Sequence, residues 1–398
     1  MKTDHTCILI INSGSSTIKF ALYSADKSLT RLLQGKIDRI GRENTTFTFR
    51  QEKEEKQESI KVEATDHLSA ANFLLNWLEK QDRFSSVKAV GHRVVQGMNH
   101  TAPELITNEL LEELHRITPY DPDHLPDEIA LIETIRQRHP KLTQIACFDT
   151  SFHRTMPRVA KLLPIPRRFD AIGIQRYGFH GISYSYLMEE LTRIDGFKAA
   201  HGRVILAHLG NGASMAAVNE GKSIDTTMGF TPAGGLIMGS RPGDLDPGVA
   251  WYMMNSDNLN SKQFNHLINH DSGLLGVSEI SSDMRDLLEQ EVNDSRAAEA
   301  VSLFCYQAKK WVGAFVATLG GLDSLVFAGG IGENSPQIRS RICIGLQCFG
   351  IEIDEKLNKD NALVISTDNS RVKVHVIKTD EEWMMAKMCC LMLNLSEN

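Results

Sequence analysis

The chain reads as an α/β protein of two lobes built on mixed sheets, and three observations lead there. Its 398 residues exceed what one ordinary core accommodates and suit two. Apolar runs of strand character alternate with segments of helical spacing, the pattern of sheets covered by helices. Two glycine-tipped hairpins recur half a chain apart, with Gly14 and Gly212 separated by 198 residues, the offset that a duplicated lobe leaves.

The elements follow in order. ILII, NSGSS and TIKFALY form a hairpin whose tip is dense in backbone N–H and hydroxyl donors. Thr45 to Phe49 and Ser59 to Glu63 alternate as strands around the charged turn EKEEKQE, a solvated tip. Ala71, Leu74, Leu75 and Leu78 have the spacing of a half-buried helix, and Asp127 to Arg138 gives another. The strands KAVGH (88–92) and QIACF (144–148) follow those helices. The second hairpin is VILAHLGNGASMAAVNEGKSID, with its tip at Gly210 to Ser214. Asp294 or Ser295 caps a long helix through Leu319, after which SLVFAGGIGEN is a buried strand running into a glycine turn. VKVHVIKTDEEWMMAKMCCLML closes the chain as a strand, an acidic turn and an apolar helix able to pack back on the first lobe.

Composition narrows the function. With 42% hydrophobic and 23% charged residues the chain has the mixture of a globular protein. A net charge of -7 removes long-range attraction to nucleic acid or anionic membranes, so any bound anion needs a local cluster of donors. Cys7 to Ile11 is too short for a signal-peptide core, and Trp311 to Ile331 is broken by Asp323 and glycines, so no membrane span is expected. Seven scattered cysteines without close ligand spacing fit reduced thiols in the cytoplasm rather than a zinc site.

No GxxxxGK(S/T) run is present, and GGIGEN is read as lacking the strand–helix setting of a dinucleotide fingerprint. Anion-binding capacity therefore falls to the two hairpin tips and AGGIGEN, where glycine lets the backbone approach closely and direct successive N–H groups outward. Arg93 and Arg241 sit among glycines and apolar residues, where a guanidinium is either a structural ion pair or an anion clamp. Taken alone, His180 reads as a satisfied core histidine, and Asp149, at the end of QIACF, as a cap or turn residue.

GHRVVQG, FDTSFHRTMP, RYGFHGISYSYL, HLGNGASMAAVNEGKSIDTTMGFTPAGGLIMGSRPGDLDPG, GGIGEN and TDEE resemble the signatures of the acetate kinase family, in its order and from Asn12 to Glu381. The resemblance implies two duplicated actin-like (ribonuclease H-like) lobes with nucleotide in the cleft between them, as in the wider group of acetate and sugar kinases, heat-shock chaperones and actin. It implies an N-terminal lobe of residues 1–149 plus 384–398 and a C-terminal lobe of 150–383. It also implies Mg2+-dependent transfer of the ATP γ-phosphate to acetate, giving acetyl phosphate and ADP, by a cytoplasmic homodimer.

Carried over residue by residue, Arg93 and Arg241 match the arginines that clamp carboxylate and phosphoryl group, and His180 the histidine bonded to the transition state. Asp149 matches the catalytic aspartate; because the acid substrate is already ionised at neutral pH, magnesium binding and positioning suit it better than general base catalysis. Asn12 and Glu381 match the outer metal partners, the ion being Mg2+ with Mn2+ as a substitute. Val95, Phe179 and Pro232 match the acyl pocket. Nucleotide contacts fall on Ser15, Thr17, Lys19, His208, Leu209, Gly210, Asn211, Gly212, Asp283, Met284, Arg285, Gly329, Gly330, Ile331, Gly332, Glu333 and Asn334.

Three departures stand out. TPYDPDHLPDE replaces the usual APLHNPPN, setting Asp121 where a functional histidine is expected, with His124 three residues later. Gln96 replaces a histidine in HRVVHG, and Pro242 follows Arg241 where a backbone N–H is common. The nearest alternative is a propionate or butyrate kinase of the same fold. An alternative of another class is a nucleotide-gated binding module without kinase activity, against which the two arginines and the FHG histidine argue.

Overall fold

The structure, a computed structural model, describes residues 6–14, 16–41, 43–52 and 57–395. Within it the chain divides into two compact units, residues 1–151 with 380–398 and residues 152–379.

The first unit holds β1 (Cys7–Gly14), β2 (Thr17–Ser24), β3 (Arg31–Asp38), β4 (Thr46–Gln51), β5 (Glu58–Lys61), β6 (Val87–Val94), β7 (Glu104–Leu105) and β8 (Thr143–Phe148). They form one sheet in the order β5-β4-β3-β2-β1-β6-β8-β7. β1 to β5 run antiparallel to their sequence neighbours, whereas β1, β6 and β8 are mutually parallel. The unbroken apolar run of β1 follows from burial on both faces. Cys7, Leu9 and Ile11 enter a core with Leu74, Leu75 and Leu78 of the helix His67–Leu78 and with Leu131 and Ile135 of the helix Leu125–Arg138. The C-terminal helix Glu381–Met392 packs on β1 and β6, so close that a methyl on Gly91 would lie 2.7 Å from Cys389 Sγ.

The second unit holds β9 (Arg203–Leu209), β10 (Ala213–Asn219), β11 (Lys222–Thr226), β12 (Ser324–Ala328) and β13 (Lys373–Val376), ordered β11-β10-β9-β12-β13. Three antiparallel strands continue into two parallel ones, the connectivity of β3-β2-β1-β6-β8. The half-chain offset of the two hairpins is therefore accompanied by a repeated strand topology. Asp294 caps the helix Ser295–Leu319 by accepting the Arg296 N–H at 2.8 Å, and Gly320, at φ 69°, ends it.

Two readings change. AGGIGEN is a strand followed by a short helix, Gly329–Asn334, rather than a turn, so the strand–helix setting denied to it is present. Glu333 drives this by curling back to accept the Gly329 N–H at 3.0 Å, which satisfies a donor of the first turn. The acidic segment near the C-terminus is likewise the first turn of the final helix, with Asp380 accepting the Trp383 N–H at 2.9 Å. Among the described residues no helix is long and apolar enough to cross a membrane. The tip 53–56 of the charged hairpin lies outside the described residues.

Candidate active site

In the first unit the candidates collect at the C-terminal ends of β1, β6 and β8. Asn12, buried near the end of β1, donates its amide to Glu381 Oε2 at 2.9 Å and to Glu382 Oε1 at 3.1 Å. Both acids occupy the first turn of their helix, where the positive end of the helix dipole favours them. The sequence singled out Glu381, and the structure sets Glu382 on the same amide.

Arg93, penultimate in β6, donates Nη2 to Asp149 Oδ2 at 2.8 Å. Asp149 follows β8, is fully buried, and is held by its own N–H to the Val94 carbonyl at 2.9 Å. Burial opposes the Arg93 charge, but Asp149, then Glu381 and Glu128, more than offset it and hold its pKa above the ordinary arginine value. The pair is thus a charged, rigid fork set at a strand end. Val95 is buried beside it, and its N–H bonds Glu128 Oε2 at 3.0 Å.

The departures from the family pattern have local explanations. Asp121, 3% exposed, lies with Oδ1 2.8 Å from His124 Nδ1, so the negative charge that would oppose phosphoryl transfer has a partner. Gln96 is buried in the turn after β6, where its Oε1 accepts the Met98 N–H at 2.9 Å. At the first hairpin tip, Thr17 donates to Asp38 Oδ1 at 3.1 Å, and Lys19 stands opposite Asn12 on β2. Lys19 and Glu382 also line a cavity of about 200 Å³ shared with Arg31, Lys36 and Arg50. Ser15 lies outside the described residues.

In the second unit His180 precedes the helix Gly181–Ala200 in a left-handed conformation, φ 58°, unusual for a residue with a side chain. Its Nδ1 is 2.8 Å from Ser214 Oγ on β10, and its ring stacks on His208 with centroids 4.3 Å apart. His208 Nδ1 in turn lies 2.8 Å from Ser183 Oγ, which meets Thr379 Oγ1 at 2.7 Å. A hydroxyl therefore holds one nitrogen of each ring.

Arg241 donates Nη1 to the Pro232 carbonyl at 2.9 Å, tying the guanidinium to a proposed pocket residue. A methyl placed on Gly212 would sit 3.1 Å from Arg241 Nη2 and 3.4 Å from His180 Nε2. An oxygen-sized volume over this glycine is therefore flanked by a guanidinium and an imidazole, and any larger residue would fill it. Phe179 is buried next to His180, its carbonyl 3.1 Å from His153 Nε2.

The second hairpin tip and the short helix approach one another through bare backbone. Gly329, at φ 75°, would clash with the Leu209 carbonyl at 2.7 Å if it carried a Cβ, and the Cβ position of Gly210 is 3.8 Å from the Gly330 nitrogen. Glu333 Oε1 accepts both the Gly329 and the Thr379 N–H groups, at 3.0 and 3.1 Å, and Asn334 donates to the Gly330 carbonyl at 2.9 Å. Asn211 accepts the Gly239 N–H through its carbonyl at 2.9 Å, close to the Ser282 carbonyl, which lies 3.1 Å from the Cβ position of Gly239. Asp283 caps the helix Met284–Gln290, Met284 is buried, and Arg285 folds onto Asp283 with most of its side chain exposed. Of that trio, Asp283 directly follows Ser282, whose carbonyl comes near Gly239, while the Arg285 head is turned to solvent against Asp283.

The first unit thus gathers Asn12, Glu381, Arg93, Asp149 and Val95, and the second gathers Phe179, His180, Pro232, Arg241, the Leu209–Gly212 tip and the Gly329–Asn334 helix. Sequence reasoning missed Glu128, Ser183 and Ser214. The two serines lie inside quoted motifs, so their position was a usable signal; Glu128 lies in an acidic helix start that reads as solvent-facing.

Comparison with known proteins identifies the family. The model of the Acetokinase family matches residues 7–387. An acetate kinase of Methylocella silvestris is 41% identical over 98% of this chain and 98% of its own length. A propionate kinase of Citrobacter rodentium is 40% identical, over 96% and 95% respectively. The crystal structure of Porphyromonas gingivalis acetate kinase superposes with a TM-score of 0.86 at 35% identity, covering 98% of this chain and all of that one.

Proposed function

Since the chain belongs to the acetokinase family, a family of phosphotransferases with a carboxyl group as acceptor, we propose that it transfers the γ-phosphate of ATP directly to acetate, reversibly, giving acetyl phosphate and ADP. The observation that carries this reading is the space over Gly212, bounded by Arg241 and His180 at 3.1 and 3.4 Å, which suits an equatorial phosphoryl oxygen. A carboxylate needs no deprotonation before attack, so the residues have to orient and neutralise rather than abstract a proton. Arg93, fixed by Asp149, is suited to grip the acid, and Asp149 is its positioning partner. The glycine-led tip 209–212 and the helix Gly329–Asn334 offer backbone N–H groups to the nucleotide phosphates.

Asn12, Glu381 and Glu382 supply the hard oxygen donors that Mg2+ prefers. Among the described residues no group of three or more His, Cys, Asp or Glu forms a metal cage, so the donor set fits an ion that keeps water and phosphate as ligands, with Mn2+ as a substitute. When bound, the ion would neutralise charge on the phosphate oxygens.

Matching DPDHLP to APLHNP, proline on proline, puts His124 rather than Asp121 on the family histidine. Asp121 then serves as the carboxylate that orients it, at 2.8 Å.

Propionate kinase is the second reading, favoured by a relative 40% identical against 41% for the acetate kinase. The acyl pocket decides between them. We expect kcat/KM, measured as hydroxylamine-trapped acyl phosphate, to be highest for acetate across a series of lengthening acids. Val95→Ala is expected to raise the propionate-to-acetate ratio by about tenfold, since one methylene is worth ~1–3 kcal/mol. Preference for propionate in the unaltered protein would transfer the reading to the second acid.

A homodimer is supported by the helix Pro247–Ser256, which buries no residue and leaves Trp251 70% and Tyr252 64% exposed. Light scattering is expected to give twice 44.4 kDa, and the double change Trp251→Glu with Tyr252→Glu to give the monomer. An unchanged mass in that variant would place the interface elsewhere. The cytoplasm is the compartment assigned, because six of the seven cysteines are buried thiols of the kind kept reduced there.

A further inference from the structure

Glu128 stands in the first turn of the helix Leu125–Arg138, where an acid ordinarily faces water, yet only 3% of it is accessible. Its Oε2 accepts the Val95 N–H, while Oε1 is buried with no hydrogen-bond partner. Val95 lies one residue past the last pairing of β6 with β8, Val94 against Phe148, so the carboxyl takes the place of a neighbouring strand. Two residues earlier, Arg93 binds Asp149 through Nη2 and keeps a buried Nε without a partner. Bracing one N–H needs only a neutral acceptor. A buried acid with an unmet oxygen beside a guanidinium is a costly way to do it, which points to a role for the acid itself.

Resting on the reading above, we propose that Glu128 is a positioning residue of the carboxylate-binding half-site. Through the Val95 N–H it fixes the backbone that carries Arg93 and lines the acyl pocket, and through gain or loss of its own proton it sets how strongly that guanidinium holds the acid.

The charged groups around it come from each neighbouring segment: Arg93 on β6, Asp149 after β8, and Asp121, paired with His124, before its own helix. Glu381 of the C-terminal helix acts on the same guanidinium. Burial first, then Asp121 and Asp149, push the Glu128 carboxyl up, Arg93 and the Val95 N–H pull it back, and it settles at about 8. At neutral pH the carboxyl is therefore protonated, and Arg93 is answered by Asp149 with charge to spare for a substrate carboxylate. Above that pH a second carboxylate competes for the guanidinium.

The test follows KM for acetate and KM for ATP between pH 6 and 9.5 in the unaltered protein, Glu128→Gln and Glu128→Leu. We expect KM for acetate to rise about tenfold across the alkaline range in the unaltered protein, equivalent to one pKa unit of coupling, with KM for ATP unmoved. Glu128→Gln keeps the acceptor for Val95 and should give a flat KM for acetate with turnover retained. Glu128→Leu should also be flat but turn over more slowly, because the Val95 N–H is left unmet. Retention of the alkaline rise in Glu128→Gln overturns the proposal.

Thermal unfolding supplies a readout independent of activity. A carboxyl raised in the folded state contributes stability that is full below its unfolded pKa and is lost as pH climbs through the folded one. Glu128→Gln should therefore gain on the unaltered protein between about pH 4.5 and about 8, and parallel curves would refute the assignment even if neither acid proved to be a substrate.

Discussion

Arg241→Ala is expected to lower turnover by about 10³-fold, the loss typical of removing a guanidinium that acts on a transferring phosphoryl group. That factor corresponds to ~4 kcal/mol of transition-state stabilisation, too much for a surface ion pair, which is worth ~0–1 kcal/mol. The folded state should tolerate the change. Within the second unit Arg241 donates to the Pro232 carbonyl at 2.9 Å, a neutral acceptor, and the loss of that bond should cost about 1 kcal/mol of stability. Hydroxylamine-trapped acyl phosphate gives the rate, and a thermal melt run alongside separates catalysis from folding. KM for ATP should move little, because the tip 209–212 and the helix Gly329–Asn334 retain their backbone donors. Arg241→Lys should recover only part of the loss, since an ammonium carries the charge without the planar fork that reaches Pro232 and the space over Gly212 together. Turnover within a few fold of normal in Arg241→Ala would remove the arginine clamp from the mechanism.

Much of this was legible in the sequence wherever the signal is local. The hairpin tips, the Asp294 cap and the long helix to Leu319 follow from turn chemistry and periodicity, and the repeated hairpin foretold two sheets of the same connectivity. Residues of the site were legible through motifs, as with Arg93 and Asp149, whose 2.8 Å ion pair spans 56 residues and no periodicity could reveal. What stayed hidden depends on side chains meeting across such separations. Glu128 falls at a helix start rich in acid, the ordinary place for an exposed carboxylate, and only the packing of that helix behind β6 buries it against Val95. The same applies to Asp121, whose charge looked hostile to phosphoryl transfer until His124 was found against it. The helix Gly329–Asn334 escaped because three glycines in six residues read as a turn by propensity. Tertiary contacts override that propensity: Glu333 ties the first turn to Thr379, and Arg339 holds the Gly332 and Glu333 carbonyls.

Arg339 itself carries the largest expected effect on stability. It is fully inaccessible in the helix Pro336–Cys343, yet it makes five hydrogen bonds to uncharged oxygens. Nε and Nη2 reach Asn358 Oδ1 and its carbonyl, each at 2.7 Å, Nη2 also reaches Asn361 Oδ1 at 2.6 Å, and Nη1 reaches the Gly332 and Glu333 carbonyls at 2.8 and 3.1 Å. Burial pulls its pKa down to about 10, which still leaves it charged at neutral pH. The guanidinium thus joins the nucleotide-proposed helix to the segment around Asn358 with every bond charge-assisted on the donor side. Arg339→Met fills much of the volume but strands those acceptors, and removing one side of such a buried network costs ~3–5 kcal/mol. For a unit of this size that is a fall in Tm of about 10 °C. KM for ATP should rise in the same variant, because the carbonyls released at Gly332 and Glu333 let the turn that presents Gly329 and Gly330 relax, while KM for acetate should stay near its original value. A melt within a degree or two of the unaltered protein would mean that water or neighbouring side chains replace the guanidinium, and that the helix owes its form to Glu333 alone.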